Sequence, residues 1–128
     1  MQTLLERFLG YARFETKPDD TNTSSPSSVS QLLFAERLAD ELERIGLKEV
    51  TLDGNGYLMA TLPANCEHPG PVIGFIAHMD TSPEAPSTDI NPLVHPEYDG
   101  KEIVLNSERK IVLSPAEFPE LSKYTGQT

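Results

Sequence analysis

The chain has 128 residues, 38% of them hydrophobic, and carries a formal net charge of -10 at pH 7. This length is enough for one domain with a real core, and the composition is typical of a globular protein and not of a disordered one. Ten basic residues lie scattered among twenty acidic ones, which argues against nucleic acid and anionic membranes as partners.

The N-terminal residues repeat apolar side chains at helical spacing, which predicts a short amphipathic helix over residues 2–14. Glu6, Arg7 and Arg13 interrupt any apolar leader sequence. Nowhere do about 20 apolar residues follow one another, the length that spans a bilayer. We therefore expect a cytoplasmic protein that has no membrane partner.

Residues 17–28 are rich in Pro, Ser, Thr, Asn and Asp and predict a loop. A longer helix follows, for which Ser28 is the predicted N-cap, Gln31 completes a capping box and Gly46 ends the helix. The apolar stripe predicted to pack inward is Val29, Leu32, Leu33, Leu38, Ala39, Leu42 and Ile45. The charged residues predicted to face water are Glu36, Arg37, Asp40, Glu41, Glu43 and Arg44.

Residues 49–53 and 57–62 are strand-like and flank Gly54-Asn55-Gly56, which predicts a hairpin. The loop after it contains Cys66 and His68, and a thiolate and an imidazole two residues apart could share a metal. We prefer an ordinary surface turn, because a closed zinc site needs about four ligands. Since Cys66 is the single cysteine, no intrachain disulfide can form, which fits a reducing compartment.

Residues 72–77 are almost wholly apolar and have turn residues on both sides, so they predict a buried strand. His78 and Asp80 follow at its carboxyl end, where side-chain alternation points both to the same face. Ligands often bind at this end of strands in α/β sheets, and a histidine there can hold a metal while a carboxylate fixes its tautomer. On spacing alone, a polar strand end without chemistry is the better interpretation, because His-x-Asp is a very short pattern.

Residues 81–96 are proline-rich and predict a long irregular loop, which is either a wall beside the site or a passive surface excursion. Residues 102–105 and 110–113 predict a second short hairpin. Residues 116–124 predict a last short helix, which Pro119 would confine to its first turn.

The wider sequence around the histidine points to a family. Residues 75–83, Phe-Ile-Ala-His-Met-Asp-Thr-Ser-Pro, resemble the first metal-site motif of the dinuclear zinc peptidases of the M20 family, and residues 4–9 and 58–65 are also similar. The similarity extends from Met1 to Thr128 and is closest to the tripeptide aminopeptidases of the family. It implies an α/β fold, namely the N-terminal part of an M20-type catalytic domain in which helices flank a mixed sheet.

The resemblance also implies an activity, the release of the N-terminal residue of tripeptides by a zinc-activated water at a site with two zinc ions. His78 would be a ligand to one zinc. Asp80, the catalytic residue beside it, would be the neighbouring acidic residue that orients the histidine or tunes its basicity. The partners would be small peptides, and a homodimer is possible for the complete enzyme.

By the same resemblance, residues 1–128 form only the N-terminal portion of the catalytic domain. The rest of that domain and the lid (dimerisation) domain would be absent, and with them the bridging carboxylate, the general base and further zinc ligands. We therefore expect the isolated chain to be inactive and marginally stable or associating, because its strand would have an unpaired edge. Two alternatives stay open: another M20 peptidase or deacylase, and a non-catalytic acidic α/β module that serves in assembly.

Overall fold

The computed structural model describes residues 2–67 and 70–128, and within them the chain forms two helices, two hairpins and one 3-10 helix. Contacts divide the chain into two units, Met1–Asn91 and Pro92–Thr128. The elements in chain order are α1 (Leu4–Tyr11), α2 (Val29–Arg44), β1 (Lys48–Leu52), β2 (Leu58–Thr61), β3 (Ile103–Asn106), β4 (Ile111–Leu113) and the 3-10 helix (Pro119–Tyr124). No helix in these described ranges is long and apolar enough to cross a membrane.

Helix α1 covers a shorter span than the predicted residues 2–14, and capping groups determine where it begins. Thr3 Oγ1 accepts a hydrogen bond from the Glu6 amide at 3.2 Å, and Glu6 Oε2 accepts one from the Thr3 amide at 2.7 Å. This reciprocal capping box satisfies amides that the first helical turn leaves without partners. The hydrogen bonds from Thr3 also lower the pKa of Glu6.

Helix α2 begins after Ser28 as predicted, but the predicted capping box is wrong. The Ser28 side chain makes no cap bond and lies 2.7 Å from Ser30 Oγ. Gln31 is turned inward, where its Nε2 donates a hydrogen bond of 3.0 Å to the buried Thr16 carbonyl. The residue expected to cap the helix therefore satisfies a backbone oxygen of the preceding loop, since a buried carbonyl without a partner is costly.

The C-terminal end of α2 agrees with the prediction of a glycine stop. Gly46 has φ 101° and donates to the Glu43 carbonyl, while Leu47 donates to the Leu42 carbonyl, both at 3.0 Å. These two bonds form a Schellman motif, in which the residue of positive φ is most often glycine.

The core of the first unit lies where α2 meets the end of α1. Phe34 and Ala35 are buried, and the Phe34 ring lies 5.6 Å from that of Tyr11 and 5.0 Å from that of Phe14. Edge-to-face and tilted ring contacts at these distances are favourable beyond the burial of apolar area. They hold the N-terminal residues against the middle of α2.

The buried face of α2 differs from the predicted apolar stripe. Val29 and Leu33 are exposed, and Glu41, which was predicted to face water, is only 6% exposed. Glu41 lies seven residues after Phe34, two helical turns along the same face. The prediction was wrong because it assigned every charged side chain to solvent.

The first hairpin is confirmed. Strands β1 and β2 pair antiparallel, and helix α2 lies against both. Asp53 Oδ1 accepts hydrogen bonds of 2.9 Å from the amides of Asn55 and Tyr57, and Gly56 has φ 85°. The turn thus combines an acceptor side chain with a glycine at a position that disfavours other residues.

Residues 72–77 do not form the predicted buried strand. They belong to no helix or strand, and Val72, Phe75 and Ile76 are at least 93% exposed. A segment becomes a strand only when a neighbour takes its backbone hydrogen bonds, and among the described residues the sheet of the first unit holds β1 and β2 alone. The apolar exposure fits the expectation of an unpaired segment, whereas the burial was wrongly predicted.

The coarse α/β character is confirmed, because helices and strands are both present. The two sheets of the described residues are each two-stranded and antiparallel, so these residues do not build the mixed sheet that the resemblance implies. In the second unit, β3 and β4 form the predicted hairpin. The predicted last helix is a 3-10 helix that begins at Pro119 and continues to Tyr124, so Pro119 starts this helix and does not end it. Residues 81–96 are irregular as predicted.

Candidate functional site

The structure brings the side chains of His78 and Asp80 together. His78 Nδ1 lies 3.1 Å from Asp80 Oδ1, and the two side chains are 82% and 49% exposed. The same-face placement that alternation predicts is therefore present, although residues 76–80 are not part of a sheet. Because the pair is exposed, water competes for its polar atoms and the contact adds little to stability.

The geometry of this pair suits one ligand of a metal site. A carboxylate that accepts the proton of Nδ1 selects the tautomer in which Nε2 keeps its lone pair. Metal-binding histidines commonly have such a carboxylate partner. His78 could thus offer Nε2 to a metal ion while Asp80 holds the ring in place.

The other donors that a zinc hydrolase needs are not found in the described ranges, residues 2–67 and 70–128. No group of three His, Cys, Asp or Glu side chains there could hold a metal ion. A catalytic zinc site has about three protein ligands and an open position. The donor set therefore fits one histidine ligand with its carboxylate partner, and not a whole site.

An open depression of about 460 Å³ lies beside the pair. Its lining consists of residues 18, 25–27, 31, 55–58 and 76–80. The expectation that the loop over residues 81–96 forms the wall is wrong for its first part, because residues 81–91 do not contribute to this lining. The wall comes instead from the loop before α2 and the hairpin turn before β2.

The loop before α2 is held in shape by its own side chains. Asn22 Nδ2 donates to the Ser27 carbonyl at 2.8 Å, Ser24 Oγ donates to the Pro26 carbonyl at 2.9 Å, and Ser27 Oγ accepts from the Asp19 amide at 3.0 Å. Such side-chain bonds to nearby backbone replace the ladder of a helix or sheet. This part of the wall is therefore a defined surface although the loop contains no helix or strand.

A part-buried ionic cluster that the sequence did not predict lies elsewhere in the first unit. Arg7 Nε and Tyr11 Oη both donate to Glu41 Oε1, the latter at 2.5 Å. Burial raises the pKa of Glu41, but the hydrogen bonds from Tyr11 and Arg7 outweigh it and the net pKa is lowered. Burial, together with the Glu41 carboxylate, raises the pKa of Tyr11. The i, i+4 spacing of Arg7 and Tyr11 and the position of Glu41 on the Phe34 face are the signals that could have predicted the cluster.

The alternative metal pair, Cys66 with His68, cannot be compared with the structure. Cys66 is exposed, and His68 lies outside the described residues. The preferred interpretation of this segment as an ordinary surface turn stays a prediction.

Comparison with known proteins gives a consistent result. No protein-family model matches the chain. The chain is 52% identical over 127 residues to the peptidase T of Clostridium botulinum strain 657, which covers 99% of this chain and 31% of that protein. It is 51% identical to the peptidase T of C. botulinum strain Hall, and 48% identical over 125 residues to that of Bacillus velezensis. The resemblance is thus confirmed as a similarity to peptidase T along nearly the whole chain, which spans about a third of the length of these curated relatives.

Proposed function

We propose that this chain is the N-terminal portion of the catalytic domain of a tripeptide aminopeptidase like peptidase T. The observation that carries the proposal is the contact between His78 and Asp80 in a chain that is 52% identical to a peptidase T over 127 residues. The similarity supplies the reaction class, and the 3.1 Å contact supplies the start of a site that suits it.

The roles of the two residues follow from the contact between them. His78 would hold one of two zinc ions through Nε2, and Asp80 would keep the proton on Nδ1 and fix the ring against rotation. Zinc, when bound, polarises the scissile carbonyl and makes a water molecule acidic enough to attack near neutral pH. Asp80 would affect the reaction indirectly, because it orients His78 and places its own negative charge near the metal.

The remaining donors would come from further sequence in the longer protein. In support of this, the described residues supply one histidine and one carboxylate, and the chain spans only about a third of its relatives. The complete domain would have the M20-type mixed sheet flanked by helices, with a separate lid (dimerisation) domain and a possible homodimer. Its substrates would be small peptides, its location the cytoplasm, and nucleic acid and membranes would not be partners.

The test is a hybrid enzyme. This chain replaces the 127 aligned residues of the C. botulinum peptidase T, and zinc-dependent hydrolysis of a tripeptide is measured. We expect activity in the hybrid, loss of at least about a hundredfold in kcat for His78→Ala, and a smaller loss for Asp80→Asn, as is usual for ligands and their supporting carboxylates.

The matched control is His95→Ala, since His95 is also exposed and carries no proposed role. Activity that survives His78→Ala as well as His95→Ala contradicts the proposal. A folded hybrid that binds zinc but cleaves acylated amino acids and not tripeptides would favour another M20 deacylase. A folded hybrid without zinc affinity or hydrolysis would favour the non-catalytic module.

A further inference from the structure

We propose that residues 25–27 and 55–58, here called the neutral wall, receive an uncharged side chain of the peptide's N-terminal residue, with Tyr57 as the specificity-determining residue. The inference rests on the proposed function and deepens it, because the neutral wall lines the same depression as His78 and Asp80. A peptide whose scissile carbonyl lies at His78 would place an adjoining side chain in this space.

The charge of the depression determines which side chains it accepts. Among the described residues no lysine or arginine lines it, and Asp80 is the one carboxylate in its lining. In the metal-free chain, a glutamate or aspartate side chain would enter without a lysine or arginine to pair with and would lie near the Asp80 carboxylate, which has the same sign. Burying a charge without a partner is costly, and like charges that face each other suppress wrong ligands.

The neutral wall also offers the area that an apolar side chain needs. Tyr57 is 69% exposed, so its ring has surface left to cover, and its hydroxyl would stay in water. A space of about 460 Å³ lies within the usual range for small-molecule sites, about 300–1,000 Å³. The depression is therefore wide enough for one side chain and the adjoining peptide backbone.

The neutral wall is held in place before any ligand arrives. Asp53 Oδ1 accepts hydrogen bonds from the amides on both sides of Gly56, those of Asn55 and Tyr57. A Cβ placed on Gly56 would lie 3.6 Å from Pro26 Cγ, so the hairpin turn packs against the preceding loop. A surface that is already ordered loses less entropy on binding, which favours its use as a subsite.

The experiment is a binding titration of the whole 128-residue chain, followed by ¹H–¹⁵N NMR, with Leu-Gly-Gly and Glu-Gly-Gly as probes. We expect Leu-Gly-Gly to shift the amides of residues 55–58, and Glu-Gly-Gly to bind about tenfold more weakly. Tyr57→Lys should reverse this order because it adds a cation to the neutral wall, and Asn55→Lys in the same turn should act in the same direction.

Met59→Lys is the matched control, because Met59 is 68% exposed, lies two residues further along and does not line the depression. It should leave the order of the two peptides unchanged. Equal affinities, tighter binding of Glu-Gly-Gly to the unmodified chain, or no shift at residues 55–58 with either peptide would overturn the inference. Hydrolysis by the hybrid enzyme that depends on His78 would then still support the proposed function, so the two failures are distinguishable.

Discussion

Tyr11 Oη donates a 2.5 Å hydrogen bond to Glu41 Oε1 and so joins the last turn of α1 to the last turns of α2. Arg7 donates to the same oxygen from one helical turn earlier. Glu41 is 6% exposed; the Arg7 guanidinium balances its charge, and Tyr11 is a second, neutral donor to the same oxygen. This cluster adjoins the contact of the Tyr11 and Phe34 rings, so polar and aromatic contacts act at the same helix junction.

Substitution of Glu41 by alanine should destabilise the chain. Arg7 and Tyr11 would each lose an acceptor at a part-buried position, which typically costs about 1–3 kcal/mol. The free energy of unfolding in urea measures the effect. Glu43→Ala is the matched control, since Glu43 is exposed on the same helix, and its effect should stay within about 0.5 kcal/mol. Equal effects of the two substitutions would show that the cluster contributes nothing.

The same cluster should make stability depend on acid pH. The pKa of Glu41 is lowered in the folded chain, so its contribution is present above the unfolded pKa and is lost as the pH falls through the folded one. The exposed carboxylates of Glu6 and Asp19 have lowered pKa values and act in the same direction. Urea titrations between neutral and strongly acid pH should therefore show a smaller acid loss for Glu41→Gln than for the unmodified chain. Parallel curves would contradict this prediction.

Gly56→Ala should destabilise the first hairpin through its backbone and not through a clash. Gly56 has φ 85°, which costs an alanine about 1–2 kcal/mol, whereas the nearest atom to its new Cβ would be Pro26 Cγ at an ordinary 3.6 Å. Gly54→Ala is the matched control, because its Cβ would meet no atom within 4 Å and its φ is not positive. The melting temperature measured by circular dichroism should be lower for the Gly56→Ala variant than for the Gly54→Ala variant. A Gly54 variant that is as unstable as the Gly56 variant would refute the backbone explanation.

The parts of the fold that the sequence predicted are those set by neighbours in the chain. The first hairpin depends on Asp53 and Gly56, and the end of α2 depends on Gly46, all within a few residues of the structure that they form. The errors concern partners far along the chain. Glu41 is buried because Arg7, 34 residues away, donates to it. Gln31 does not form the predicted capping box because its side chain donates to the Thr16 carbonyl instead.

The candidate site also has a part that the sequence predicts and a part that it does not. Alternation places His78 and Asp80 side by side without any help from distant residues, and their 3.1 Å contact agrees with it. The neutral wall could not be predicted, since a proline loop and a hairpin turn about 30 residues apart must first pack together. The prediction that residues 72–77 are buried was wrong. Their apolar composition suits a strand that is covered on both faces, but it does not show whether the covering elements are present.

The exposed segment over residues 72–77 should make the isolated chain associate as its concentration rises. Phe75 and Ile76 are 93% and 101% exposed, the six residues carry no charge or proline, and none of them pairs with a strand of the described residues. Such segments pair readily with another chain through backbone hydrogen bonds and apolar contacts.

Light scattering coupled to size exclusion should show a mass above 14.1 kDa at high concentration, and Phe75→Lys should restore the monomer. Leu62→Lys, at another exposed apolar residue outside the segment, is the control and should leave association unchanged. A chain that stays monomeric at every concentration would contradict the prediction. If both lysine substitutions restored the monomer equally, the association would not depend specifically on residues 72–77.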